Sequence, residues 1–176
     1  MKWTTHLAGG AVAGAVTLAA ALNGDFGLPA PPFYVLPLAA GAAALGSLFP
    51  DIDNRKSKAG QAAGLISSIV NYLWGHRTLF HSPVLYFLLF FYARDYIGVF
   101  LPVMFGFMAG ALSHIALDMM NEKGIPLFYP LPGNYHISKI KSQKNKQDTK
   151  EEYIVRMATI CVAAVIAGRV VVQQIF

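Results

Sequence analysis

The sequence predicts an all-α polytopic membrane bundle, with about five spanning helices and one short interfacial helix. Three observations predict it. Hydrophobic residues make up 55% of the 176 residues and charged ones only 13%, against roughly 25% charged in a soluble domain. Apolar runs of near-bilayer length recur along the chain between short polar or Pro/Gly-rich breaks. The mean hydropathy is +0.47, so lipid is a better solvent for this surface than water. The formal net charge is +5. On a membrane chain that excess marks cytoplasmic loops and anionic headgroups, not nucleic acid. The chain reads as one integral membrane domain, 1–176. Its parts are a helical core over 1–132, a basic connection over 133–152 and a last membrane helix over 153–176.

The first apolar segment runs from Leu7 to Leu22 without a charge and ends at Asn23-Gly24-Asp25. Lys2 before it and Ala19-Ala20-Ala21 at its end imitate a secretory leader. No long soluble domain follows, so an uncleaved span is expected. The second segment runs from Phe33 to Phe49 and stops at Pro50. Both lie at the short end of the roughly 17–25 residues that cross a bilayer. After the polar Asp51–Gly60 loop, Leu65, Ile66, Ile69, Val70 and Leu73 recur at helical spacing opposite Ser67, Ser68 and Asn71. That is an amphipathic helix too short to span, lying at the interface or re-entering it. Ser82 can cap and Pro83 can open a third span reaching Ile97. Gly98 marks a turn, and Leu101–Met120 is the fourth span. Proline breaks the Gly124–Gly133 loop. Lys139, Lys141, Lys144, Lys146 and Lys150 form a basic stretch suited to anionic lipid headgroups. Tyr153–Val172 is the fifth span, with Arg156 and Arg169 snorkelling at its ends. Trp3, Tyr72 and Trp74 read as interfacial anchors. Cys161, the single cysteine, reads as packing.

Lys and Arg are absent from the Asn23–Pro32 loop and the Gly98 turn and concentrate in the Asp51–Ser82 and Asn121–Glu152 connections. The positive-inside rule then places the amino terminus and both connections in the cytoplasm of a multi-pass inner-membrane protein. This topology has a chemical consequence. His6 begins span one, Asp51 and Asp53 follow span two, His81 precedes span three, and His114 and Asp118 end span four. All arrive at one depth. Ionisable groups inside spans are costly and mark functional interiors. His6, Gly10 and Gly14 are spaced by four, as are Gly106, Gly110, His114 and Asp118. Small residues at that spacing let membrane helices approach closely, so the tightest faces end in His or Asp.

Imidazole and carboxylate without thiolate suit zinc, manganese or iron(II). The candidates for metal are His6, Asp51, His81, His114 and Asp118, for one or two ions. His76, Arg77 and Asp53 are the candidate catalytic groups. His76 can be a ligand or a general acid, and Arg77 can clamp a phosphate with its planar fork. The competing reading of His114 and Asp118 is an intramembrane hydrogen-bonded pair, and that of Asp51 and Asp53 a solvated turn. Ligation is preferred because helices build metal sites from such i, i+4 pairs with further histidines nearby.

These pieces, taken in order, resemble the YdjM family of inner-membrane proteins, predicted from their motifs to be metal-dependent hydrolases. The matching residues are Thr5-His6, Leu48-Phe49-Pro50-Asp51-Ile52-Asp53, His76-Arg77 with His81-Ser82, Ser113-His114 with Asp118, and the Gly124-Ile125, Leu127-Phe128 and Pro130 loop. They cover most of Met1–Pro132. The resemblance implies a membrane-bound metal-dependent hydrolase. The His114/Asp118 pair is also similar to one in zinc-dependent phospholipases C, which implies phosphoester hydrolysis. The expected substrate is a membrane lipid or lipid-linked phosphate, because the site lies at headgroup depth. The alternatives are an intramembrane metalloprotease or amidase, which the absence of a His-Glu-x-x-His motif disfavours, and a non-enzymatic metal-ion carrier. Carriers bind nearer the bilayer midplane.

Overall fold

The computed structural model describes residues 1–25, 27, 31–75, 77–138, 140 and 149–175, with backbone alone for 173–175. Seven α-helices form among them: α1 (Trp3–Leu22), α2 (Val35–Gly46), α3 (Lys58–Ala63), α4 (Leu65–Trp74), α5 (Pro83–Ile97), α6 (Leu101–Asp118) and α7 (Lys150–Ile175). No β-strand forms among the described residues, only isolated bridges pairing Asn121 with Ile140 and Ile125 with Tyr135. Three stretches are long and apolar enough to cross a membrane: Trp3–Leu22, Pro83–Asp118 and Lys150–Val172.

The middle stretch is a hairpin. A 3₁₀ turn at Gly98–Phe100 follows Ile97, and Gly98 takes φ +47° there, a conformation that glycine adopts without a Cβ penalty. Beyond the turn, α6 folds back along α5. Phe90 meets Phe105 edge-on at 5.3 Å, and Tyr86 packs with Met108, Ala111 and Ile115.

The centre of the bundle is α1, α2 and α6, and small residues set its geometry. Gly106 lies against Ala39, Gly110 against Ala43, and His114 against Ser47. Both sequences advance by four, so α2 and α6 run parallel in a fixed register, ridge against ridge. Helix α1 runs the opposite way: Gly10 meets Ser47 and Ala43, and Gly14 meets Ala43 and Ala40. A side chain at Gly46, Gly106 or Gly110 would drive into the backbone of the facing helix. Helix α7 lies alongside α1 in the same direction, pinned at its start. Glu152, buried in its first turn, accepts from the Lys2 backbone N–H and, at 3.1 Å, from the Thr5 hydroxyl, while Arg156 donates to Thr4 Oγ1 at 3.1 Å. The starts of α1, α5 and α7 therefore share one end of the bundle with the ends of α2 and α6.

The outer surface is apolar. Phe87, Leu88, Tyr92 and Tyr96 of α5 and Ile154, Val162 and Val165 of α7 are exposed, as expected of faces turned to lipid.

Three expectations need correction. The second span was expected over Phe33–Phe49, but α2 is only 12 residues long, roughly 18 Å at 1.5 Å per residue. It ends at Gly46 because the chain must turn into the 3₁₀ segment Phe49–Asp53 that carries two carboxylates. Ser82 stands at the start of α5, yet its hydroxyl donates to Leu127 O at 3.1 Å and caps no helix N–H. Cys161 is exposed on α7 and packs against no core.

Candidate metal centre

The shared end of the bundle holds three buried imidazoles and two buried carboxylates: His6, His81, His114, Asp53 and Asp118. Asp51 joins them from a partly exposed position. The parallel register of α2 and α6 fixes His114. Its Nδ1 lies 2.7 Å from the Ser47 carbonyl oxygen. A carbonyl only accepts, so Nδ1 carries the proton and donates. The lone pair is then on Nε2, which points inward, is buried, and has no hydrogen-bond partner. Around it stand Asp51 Oδ1 at 3.9 Å and Asp118 Oδ2 at 4.0 Å.

His6, from the first turn of α1, stacks on His114 with ring centroids 3.7 Å apart and planes 15° from parallel. Its Nε2 is 3.4 Å from Asp118 Oδ1, and its Nδ1 is buried without a hydrogen-bond partner. His81 comes from the 3₁₀ turn Leu79–His81 before α5. Its Nδ1 is 3.3 Å from Asp53 Oδ2 and its Nε2 is 3.8 Å from Asp118 Oδ2. A carboxylate behind one ring nitrogen, with the other turned to the cluster, is how proteins orient a metal-binding histidine. Asp53 therefore sits behind His81.

Asp118 is the hub. Asn121 Nδ2 donates to its Oδ1 at 2.8 Å, the Met1 amino group lies 3.4 Å from the same oxygen, and Arg77 donates to Oδ2 at 2.9 Å. Arg77 is held from two sides. Its backbone N–H donates to Asp53 Oδ2 at 2.9 Å, and its guanidinium also reaches Gly124 O at 3.3 Å. Its φ is +61°, a left-handed conformation that is uncommon for a residue with a side chain.

Two groups can each hold a divalent ion: His6 with Asp51 and His114, and His81 with His114 and Asp118. Their donor atoms lie within 4.8 Å of one another. Ligands each about 2.0–2.2 Å from a zinc ion stand roughly 3–4 Å apart, so a small contraction closes either set. The donor chemistry fits as well. Unpartnered nitrogens buried beside carboxylates are expensive in an apolar bundle unless a cation completes them.

The structure thus gathers His6, Asp51, His81, His114, Asp118 and Arg77, with Asp53 one layer behind. His76 lies outside the described residues, as do Lys139, Lys141, Lys144 and Lys146 of the basic stretch. Sequence reasoning missed four supports. The Ser47 carbonyl is invisible in any side-chain pattern. Asn71 donates to Asp53 O at 2.7 Å and looked like the polar side of an amphipathic helix. Glu152 looked like a loop boundary. Asn121 did leave a signal, a polar residue one turn beyond Asp118.

A sequence profile described as YdjM inner membrane protein matches residues 1–176. The chain is 37% identical over 93 residues to the uncharacterized protein YvsG of Bacillus subtilis, covering 53% of this chain and 58% of that one. It is 36% identical over 110 residues to the inner membrane protein YdjM of Escherichia coli, covering 60% of this chain and 56% of that one, with the same figures for the Shigella flexneri protein. The alignments span a little over half the length of these curated relatives. No solved structure matches the chain.

Proposed function

This chain belongs to the YdjM inner membrane protein family, and we propose that it is a metal-dependent hydrolase of phosphoester bonds in a membrane lipid or lipid-linked phosphate. One observation carries the reading. The Ser47 carbonyl accepts from His114 Nδ1–H, which leaves the lone pair on Nε2, and that atom is buried and aimed without a hydrogen-bond partner at two further imidazoles and two carboxylates. A structural hydrogen-bond network has no use for an unmatched acceptor among other acceptors.

Zinc is the proposed ion, with manganese or iron(II) next, because the donors are nitrogen and oxygen without sulfur. His6, His81, His114, Asp51 and Asp118 would hold it. His114 offers only Nε2, and both groups need it, which favours one ion over two. When bound, such an ion polarises a phosphoryl oxygen and brings the pKa of a water toward ~7.

The chain's own residues supply the rest. Asp53 fixes the His81 ring through Nδ1. Arg77 is partly exposed and carries a fork that matches two phosphate oxygens, so it can exchange Asp118 for substrate. Asp51, also partly exposed, is the proposed ligand nearest solvent and sets the side from which substrate and water reach the ion. His76, on the same connection, is the proposed general acid. The site lies where helices begin and end, and the ends of membrane helices meet the headgroup layer, which supports a lipid substrate. The positive-inside pattern of the connecting loops supports a cytoplasmic position for that end.

The test uses the purified full chain in lipid nanodiscs, offered phosphodiester, phosphomonoester and peptide substrates with and without a chelator. Chelator-sensitive phosphoester hydrolysis that disappears in His114→Ala and Asp118→Ala is expected. Hydrolysis that survives both substitutions, or that acts on peptides alone, would sink the reading.

A further inference from the structure

Helix α4 is built with its polarity turned inward. Ser67 and Val70 are buried, and Asn71 donates to the Asp53 carbonyl. The large apolar residues face out: Leu65 is 82% exposed, Ile69 58% and Tyr72 89%, with Ile66, Leu73 and Trp74 beside them. Ten residues reach roughly 15 Å, half of the roughly 30 Å hydrocarbon core, so this face cannot belong to a span. Yet α4 sits at the end of the bundle where five helices begin or stop, and the ends of membrane helices meet the headgroup layer. Just before it, Arg55, Lys56 and Lys58 are all exposed. An apolar face beside a cluster of cations at that depth is complementary to an anionic lipid surface. Glycines bound the helix at both ends, Gly64 with φ +56° and Gly75 with φ +76°.

We propose that α4 docks on the anionic headgroup layer of its own membrane, and that this docking holds the Asp53–Arg77 side of the candidate metal centre in place. The link is a short chain of contacts. α4 holds Asp53 through Asn71, Asp53 holds the Arg77 backbone and His81 Nδ1, and Arg77 holds Asp118. The docking follows from the exposed face and the cations; its coupling to the ligands rests on the metal-site reading above.

The experiment uses the full chain with Trp3→Phe, so that Trp74 is the sole tryptophan, in nanodiscs with or without one-third anionic lipid. Two quantities are read: Trp74 quenching by lipids brominated at set depths, and cobalt affinity. Strongest quenching near the headgroup end of the acyl chains is expected, and it should increase with anionic lipid. Replacing Arg55, Lys56 and Lys58 by Gln should abolish that increase. The pair Ile69→Asn and Leu73→Asn should cut quenching and weaken cobalt binding at least fivefold. Trp74 unquenched at every depth overturns the docking, as does cross-linking of two copies through Ile69→Cys in a Cys161→Ala background. Quenching lost in the Asn pair with cobalt affinity unchanged overturns the coupling. A parent protein that is quenched but binds no cobalt contradicts the metal-site reading and leaves the docking supported.

Discussion

Replacing Gly110 by alanine should damage the metal centre from a full turn away. A Cβ at Gly110 would sit 2.9 Å from the Ser47 backbone nitrogen and closer still to the Ala43 carbonyl oxygen. Both are backbone atoms, so neither can swing aside. Ordinary contact begins near 3.4 Å. The α2 and α6 backbones must therefore part by roughly half an ångström or more at Ser47, an overpacking cost of ~1–3 kcal/mol. The same residue supplies the carbonyl that holds His114 Nδ1 at 2.7 Å. Parting the helices stretches that bond, frees the imidazole to turn, and removes the lone pair from the cluster. Loss of such a supporting contact weakens metal binding about 10–100-fold. Cobalt titration of purified protein, with thermal unfolding alongside, measures both effects. Gly41 has open space where a Cβ would go, so Gly41→Ala is the matched control and should leave both unchanged. If Gly110→Ala bound cobalt as tightly as the parent, the register of α2 on α6 would not be what orients His114.

Other outcomes follow from the same geometry. Glu152→Ala removes the buried acceptor of the Thr5 hydroxyl and should lower stability by about 1–3 kcal/mol, the cost of stranding a buried donor. Thermal unfolding would detect it, and Glu152→Gln, which keeps an acceptor oxygen, should recover much of the loss. Metal loading should fall as pH is lowered, because protons compete for imidazole and carboxylate ligands, and equilibrium dialysis at stepped pH should show proton release on binding. Arg77→Lys keeps the charge but loses the fork, so it should raise KM for a phosphoester substrate more than it changes metal affinity.

The fold was largely legible because membrane helices announce themselves by apolar length, and because Gly106, Gly110, His114 and Asp118 fall on one ridge that must meet another helix. Helix α4 was legible as amphipathic, but not as a helix whose polar side faces inward. Periodicity gives the angle between faces and is silent on which one meets protein. The shortness of α2 was hidden because Ser47, Leu48 and Phe49 continue its apolar pattern after the helix has ended. In the site, ionisable residues stood out against an apolar background and could be assigned to one depth. Their supports could not be read: the Ser47 carbonyl belongs to the backbone, and Glu152 reaches Thr5 across 147 positions of chain.

The most direct measurement is anomalous diffraction from crystals of the zinc- or cobalt-loaded full chain. A single strong peak bonded to His114 Nε2, with ligands drawn from His6, His81, Asp51 and Asp118, is the predicted result. A protein that loads no metal, or a peak bound elsewhere with His114 Nε2 still bare, would contradict it.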